Sequence, residues 1–280
     1  MSNKIFSKKN LKKTYFGIFI LLIIWIWAFL QLPDHKFHIY FLDVGQGDAI
    51  FIKTPQNHQI LIDGGPQNKV IQELNQIIPF FDKNIDLLVL THPHADHIQG
   101  LIEVLKRYQV EKVLITGVNY SNANYDEFLS EISTQNIQVF SAEQSSDFIL
   151  GEVIFDVIYP FSNISGQDFE NINNSSIAMI ITYQDHKILL SGDLEKEGEQ
   201  ELIETDLNLK VDIIKAAHHG SKTASSLNFL KRLSVKKAII QSGKDNRFGH
   251  PHSESIRNFY RSGITQIFRN DQEGRVEFTF

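Results

Sequence analysis

Cysteine is absent from the 280 residues, which excludes disulfide frameworks, thiolate zinc fingers and cysteine nucleophiles together. Any metal held by this chain therefore rests on His, Asp or Glu. Acids are absent from the first 33 positions, Asp34 being the first of 33 Asp and Glu. Lys4, Lys8, Lys9, Lys12 and Lys13 stand in that stretch; the 27 Lys and Arg less these five leave 22 cations against 33 acids, a net charge of −11. That balance argues against a long nucleic-acid footprint, which draws on clustered Lys and Arg. No Pro/Gly/Ser-rich stretch divides the chain after Asp34, so 35–280 reads as one domain. Hydrophobic residues at 42% and charged ones at 21% are ordinary globular usage, which excludes wholesale disorder and a polytopic membrane protein.

Charge of either sign is also missing from 15–32. At ~1.5 Å per residue a helix there nearly crosses a ~30 Å hydrocarbon layer, so a transmembrane anchor is expected. A cleaved signal peptide would end in small residues, whereas this run carries Trp25, Trp27 and Phe29, side chains suited to an interfacial belt. The five lysines make 1–14 a basic cytoplasmic tail and place the domain outside the cytoplasm, as a single-pass protein of the cell membrane.

Beyond a short linker, period-2 and continuous apolar runs separated by Gly45-Gln46-Gly47 and by turn residues predict an opening set of strands. Helical spacing follows over 70–78, then a fully apolar strand ending at His92, a helix over 98–108 and a further strand. A helix over 126–134 and a strand over 136–140 complete this half. Three β-rich runs then resume, followed by helices over 195–205, 225–233 and 253–262 alternating with strands, and two closing strands. Both halves repeat one plan without repeating sequence, which predicts two sheets face to face with helices outside, a four-layer αββα sandwich.

Seven of the eleven histidines fall in three short clusters. The first, Thr91-His92-Pro93-His94-Ala95-Asp96-His97, follows a buried strand and precedes a helix, so one turn can supply ligands to two adjacent metals. Imidazole and carboxylate suit zinc, manganese or iron. Asp63, before Gly64-Gly65, ends an apolar strand, as a site carboxylate or an Asx turn. Asp193 ends another strand in the corresponding place of the second half, where it can bridge two metals or cap a helix. His218-His219-Gly220-Ser221 and Gly249-His250-Pro251-His252 occupy strand-to-helix loops, which in α/β sheets carry the chemistry.

Together these motifs resemble the metallo-β-lactamase superfamily. More narrowly, with Asp43-Val44-Gly45-Gln46-Gly47-Asp48-Ala49 added, six motifs in order resemble the hydrolase domain of the ComEC-type competence proteins, over nearly all of the chain after residue 36. The resemblance implies a metallo-β-lactamase-like αββα fold and two divalent metal ions, Zn²⁺ or Mn²⁺. His92 and His94 would hold the first, Asp96 and His97 the second, with Asp193 between them. The superfamily's third-motif histidine is missing; Asn173-Asn174-Ser175-Ser176 stand where it would. Which of His218, His219 and His250 completes the second site is open, with His219 favoured as ligand and His218 and His250, beside Asp96, assigned to catalysis. Asp63 would orient a ligating imidazole, and Ser221, Lys222 and Asn174 would meet the substrate. The expected activity is that of a membrane-anchored, extracytoplasmic metal-dependent phosphodiesterase or nuclease, with DNA as candidate substrate. Two alternatives stand beside it: a cell-envelope phosphodiesterase acting on phosphocholine or teichoic-acid groups, and a non-catalytic membrane-tethered partner of a DNA-uptake complex.

Overall fold

The computed structural model describes residues 8–30 and 34–280, the side chains of 8–10 and 26–30 excepted. The chain divides into two units, one up to Asp34 and one from His35 to Phe280. In the first, helix α1 (Lys8–Leu30) carries the uncharged stretch that begins at Tyr15. Among the described residues no helix is long and apolar enough to cross a membrane. Of the expected 15–32 span, the side chains of 26–30 and all of 31–32 lie outside the described residues, as do residues 1–7 of the expected tail.

In the second unit, β1 (His38–Phe41), β2 (Ile50–Lys53) and β3 (Gln59–Ile62) form an antiparallel meander. Next come α2 (Lys69–Ile77), β4 (Asn84–Val89), α3 (Ala95–Leu105), β5 (Gln109–Ile115), α4 (Ala123–Thr134) and β6 (Gln138–Ser141), with β3 to β6 parallel. The second half repeats the scheme. Strands β7 (Phe148–Leu150), β8 (Val153–Tyr159), β9 (Ala178–Tyr183) and β10 (His186–Leu190) are antiparallel. After α5 (Lys196–Ile203) come β11 (Ile213–Lys215), α6 (Leu227–Leu233), β12 (Lys237–Ile240), α7 (Ser253–Ser262) and β13 (Gln266–Arg269), with β10 to β13 parallel. Among the described residues the sheets are seven-stranded, β14-β1-β2-β3-β4-β5-β6 and β13-β12-β11-β10-β9-β8-β7, β14 being Val276–Thr279.

Three clusters of buried side chains account for the layering. Phe37, Phe41, Phe155, Met179 and their neighbours fill the space between the sheets. Phe51, Leu101 and Phe128 seal α2, α3 and α4 against the first sheet, while Leu202, Phe229 and Phe259 seal α5, α6 and α7 against the second. Each fully buried Phe of this kind stabilises the fold by ~1.5–3 kcal/mol. The αββα sandwich expected from the repeated plan is therefore present.

Several details depart from periodicity. Helix α3 starts at Ala95, three residues before the expected 98, because His94 holds extended backbone at its N-cap; Asp96 and His97 thus belong to its first turn. The long β-rich run after Asp147 breaks at Gly151 (φ +63°) into the β7–β8 hairpin. The last strand leaves its own half: α8 (Asn270–Glu273) turns the chain so that β14 pairs with β1, and Asn270 Nδ2 donates to Phe41 O at 2.9 Å at that crossing.

The entry to α3 is packed backbone on backbone. Gly64 N donates to His97 O (2.7 Å) and Gly100 N to Gly65 O (2.9 Å), and a Cβ on Gly100 would strike Gly64 and Val70. Gly100→Ala is expected to destabilise the fold by about 1–3 kcal/mol through overpacking, read as a thermal midpoint several degrees lower. An unchanged midpoint would show that the Gly64 turn yields freely.

Candidate metal centre

Five strand ends meet at one edge of the sandwich. Asp63 follows β3, the central strand of the first sheet, and adopts φ +57°. Its Oδ1 accepts from Thr91 N (2.8 Å); its Oδ2 accepts from Thr91 Oγ1 (2.7 Å) and pairs with His97 Nδ1 (2.8 Å). One carboxylate thus fixes both the turn after β4 and the orientation of an imidazole. His92, fully buried, has Nδ1 at 3.2 Å from Thr91 Oγ1 and Nε2 at 3.1 Å from His94 Nδ1. Asp96 sits in the first turn of α3, where the helix N-terminus favours negative charge.

Asp193 follows β10, the central strand of the second sheet, and its carboxylate lies at the middle of the cluster. Its Oδ2 is 3.3 Å from His97 Nε2, 3.3 Å from His219 Nε2, 3.8 Å from His218 Nε2 and 4.0 Å from His92 Nε2. His219 Nε2 is also 3.3 Å from Asp96 Oδ2, while its Nδ1 is 3.0 Å from Gln241 O at the end of β12. Asp96, His97 and His219 form one group able to hold a cation, and His92, His97 and Asp193 another. By geometry it is His219, rather than His218 or His250, that joins Asp96 and His97.

The electrostatics separate the donors into two kinds. Burial, and then the charge of His97, pushes His92 well below its ordinary value, and the same two causes lower His94. These two imidazoles are neutral and present lone pairs. Burial would lower His97 and His219 as well, but Asp193 with Asp63, and Asp193 with Asp48, pull them well above their ordinary value. Burial would raise Asp193, yet His219 and His97 hold it well below the carboxylate range. A cation bound between these groups displaces imidazole protons, so metal affinity rises with pH.

The donor set fits a divalent cation. His97 Nε2, His219 Nε2 and Asp193 Oδ1 are buried without a hydrogen-bond partner, and their gathering in one cluster of imidazole and carboxylate is accounted for by a cation that takes them as ligands. Nitrogen and carboxylate oxygen without sulfur suit zinc or manganese.

Other expected residues lie around this centre. His250 is half-buried, its ring 5.5 Å from that of His218, and it is pushed down to about 4 by burial and by the charges of His219 and His218. Ser221 is buried with its hydroxyl 2.9 Å from Thr223 Oγ1. Asn174 Oδ1 accepts from Glu195 N (2.9 Å) and Asn174 Nδ2 donates to Glu197 (3.3 Å). Lys222 is exposed at the rim, its backbone N donating to His252 Nδ1 (3.1 Å).

Three participants carried little signal in sequence. Asp48, in a segment that reads as a hairpin turn or site rim, is buried beneath the cluster, where Lys215 Nζ pairs with it and His219 Nδ1 lies 3.1 Å from its Oδ1. Lys215, wholly buried, donates to Gly192 O (3.1 Å) and lies 3.6 Å from Asp193 Oδ1. A lysine inside an otherwise apolar strand was the available signal. Glu195 is the third such residue: its Oε1 meets His218 Nδ1 and accepts from Thr223 Oγ1, both at 2.8 Å.

Comparison with known proteins agrees with this geometry. The family model described as the metallo-beta-lactamase superfamily matches residues 42–244. ComE operon protein 3 of Bacillus subtilis is 30% identical over 256 residues, 85% of this chain and 32% of that protein. Recombination protein 2 of Haemophilus influenzae is 30% identical over 258 residues, 90% of this chain and 30% of that protein. The chain thus spans about a third of the length of these curated relatives. Among solved structures, the metallo-beta-lactamase fold protein YhfI from Bacillus subtilis aligns with a TM-score of 0.58 at 10% identity, covering 88% of this chain and all of that one, a likeness of fold.

Proposed function

The chain belongs to the metallo-β-lactamase superfamily, and from that footing we propose that it is a membrane-anchored phosphodiesterase that cuts DNA-like chains with two divalent cations. The observation that carries this reading is the convergence of imidazoles and Asp96 on Asp193 beside an open groove. Divalent cations held there supply Lewis acidity to a phosphoryl oxygen and acidify a water nucleophile. The anchoring part rests on the uncharged stretch 15–32 and the lysines before it.

The groove suits a nucleotide flank. A cavity of about 460 Å³ borders Asp96 and is lined by Gln46, Pro66, Gln99, Arg247 and Phe248. Phe248 is exposed, its ring stacked 5.7 Å from His250 and its other neighbour Arg247 4.9 Å from the ring centre. Asn246 Oδ1 accepts from Phe248 N and His250 N, which fixes the loop. An aromatic face with a cation beside it receives a base and its phosphate without a long basic footprint, consistent with the −11 domain.

His250 works on the same side. Gly243 N donates to Gln46 Oε1 (3.1 Å), so Gln46 Nε2, 3.3 Å from His250 Nδ1, is the donor in that contact and the imidazole proton sits on Nε2. Neutral His250 can then donate to an oxygen that gains charge as the ester breaks.

The test incubates the purified full chain with Mn²⁺ or Zn²⁺ and single-stranded DNA, duplex DNA, bis(p-nitrophenyl) phosphate or a phosphocholine ester. Metal-dependent turnover of the model diester and of DNA is expected, with Phe248→Ala raising KM for a single-stranded oligonucleotide by about tenfold, as loss of one base stack implies. Turnover of none of them despite bound metal overturns the reading, and turnover of the phosphocholine ester alone moves the substrate to the envelope.

A further inference from the structure

We propose that His218 is the third imidazole ligand of the cation held by His92 and His94, and that Glu195 is the positioning residue that aims it. The inference deepens the metal-centre reading and rests on it.

The argument is one of equivalence. Each imidazole around Asp193 Oδ2 has its outer nitrogen tied to the protein: His92 Nδ1 to Thr91 Oγ1, His97 Nδ1 to Asp63 Oδ2, His219 Nδ1 to Gln241 O. This is the arrangement by which proteins orient metal-bound histidines, fixing tautomer and ring direction and raising donor strength. His218 has the same arrangement, with Nδ1 at 2.8 Å from Glu195 Oε1 and Nε2 at 3.8 Å from Asp193 Oδ2.

The backbone supports the same conclusion. His218 (φ +49°) and His219 (φ +54°) are consecutive non-glycine residues in the left-handed region, a conformation that costs energy and persists where the surroundings impose it. In a strand their side chains would point to opposite faces; here both Nε2 atoms approach Asp193 Oδ2.

Glu195 itself is gripped from the segment that lacks the expected histidine. Asn171 Nδ2 donates to Glu195 Oε2 (2.9 Å) and Asn173 Nδ2 to Glu195 Oε1 (3.1 Å), while Asn174 Oδ1 accepts from Glu195 N. The segment Asn171 to Asn174 thus holds a carboxylate that holds an imidazole, so a ligand missing from one loop is supplied by another. His218 then belongs to the metal rather than to a proton relay.

The experiment measures metal, not turnover. The full chain, loaded with Mn²⁺ and freed of excess, is analysed for bound metal and by electron paramagnetic resonance, alongside His218→Ala, Glu195→Gln and His250→Ala, with circular dichroism to check folding. Wild type and His250→Ala are expected to hold two equivalents with an exchange-coupled signal. His218→Ala is expected to bind its second equivalent at least tenfold more weakly and to show the six-line signal of isolated Mn²⁺. Glu195→Gln weakens the same equivalent about tenfold, and carries the test should His218→Ala not fold. Two equivalents at wild-type affinity in His218→Ala, or equal loss in His250→Ala, overturns the assignment while the metal centre stands. A wild-type chain that takes up no Mn²⁺ or Zn²⁺ removes the centre itself.

Discussion

Lys215→Met is expected to lower the stability of the fold by about 3–5 kcal/mol, the usual consequence of removing one partner from a buried ion pair. Lys215 is 0% exposed and faces two carboxylates, Asp48, with which it pairs, and Asp193, 3.6 Å away. Burial alone would lower its value, but Asp48 and Asp193 raise it above the ordinary range, so it is a cation. Without it Asp48 keeps the imidazoles of His219 and His97 as charged neighbours, and Gly192 O loses one of its two donors, keeping His218 N at 3.3 Å. The loss is read by chemical denaturation, and the double variant Asp48→Asn/Lys215→Met is expected to recover part of it, because both charges then leave together. The pH dependence has a definite sign. Burial would raise Asp48, but Lys215 and then His219 bring it below its ordinary value. Its contribution is therefore complete above the unfolded carboxylate range and is lost as the pH falls through its folded value. Removing Lys215 moves acid unfolding to higher pH. A Lys215→Met chain as stable as the parent would mean the pair contributes nothing.

Asp193→Asn is expected to reduce kcat/KM on bis(p-nitrophenyl) phosphate by about 10³-fold or more, some 4 kcal/mol of transition-state stabilisation. The amide keeps the shape of the side chain and removes the charge that four imidazole Nε2 atoms share within 4.0 Å. It also removes the largest influence raising His97 and His219, so their ring resonances should titrate at lower pH than in the parent chain. Both results come from one substitution: turnover reports the centre, and the imidazole titration reports the field. Unchanged turnover would remove Asp193 from the reaction and with it the convergence on which the functional reading rests.

Much of this centre was legible before any fold was known, because its chemistry is local. Thr91 to His97 needs only a strand running into a helix to place three imidazoles and a carboxylate together, and the structure supplies β4 and α3. Asp63 and Asp193 were visible as acids closing apolar strands, and both stand at the central strand of their sheets. The missing third histidine was visible as well, as Asn173 and Asn174 in its place. Its structural consequence was not, since Asn173 meets Glu195, and Glu195 meets His218, only once the turns Ile172–Ser175 and Ala217–Gly220 fold against the start of α5.

By itself the sequence determined the class of ligand, the strand-to-helix turn that carries it and the alternation that makes two sheets. These depend on residue type and short spacing, which covalent geometry and side-chain periodicity translate directly into structure. Only the tertiary structure decided which histidine of His218 and His219 meets Asp96, that Asp48 and Lys215 lie beneath the cluster, and that β14 pairs with β1. Those outcomes depend on left-handed backbone at two positions and on contacts between remote segments, where burial in a low-dielectric interior forces unlike charges to find one another.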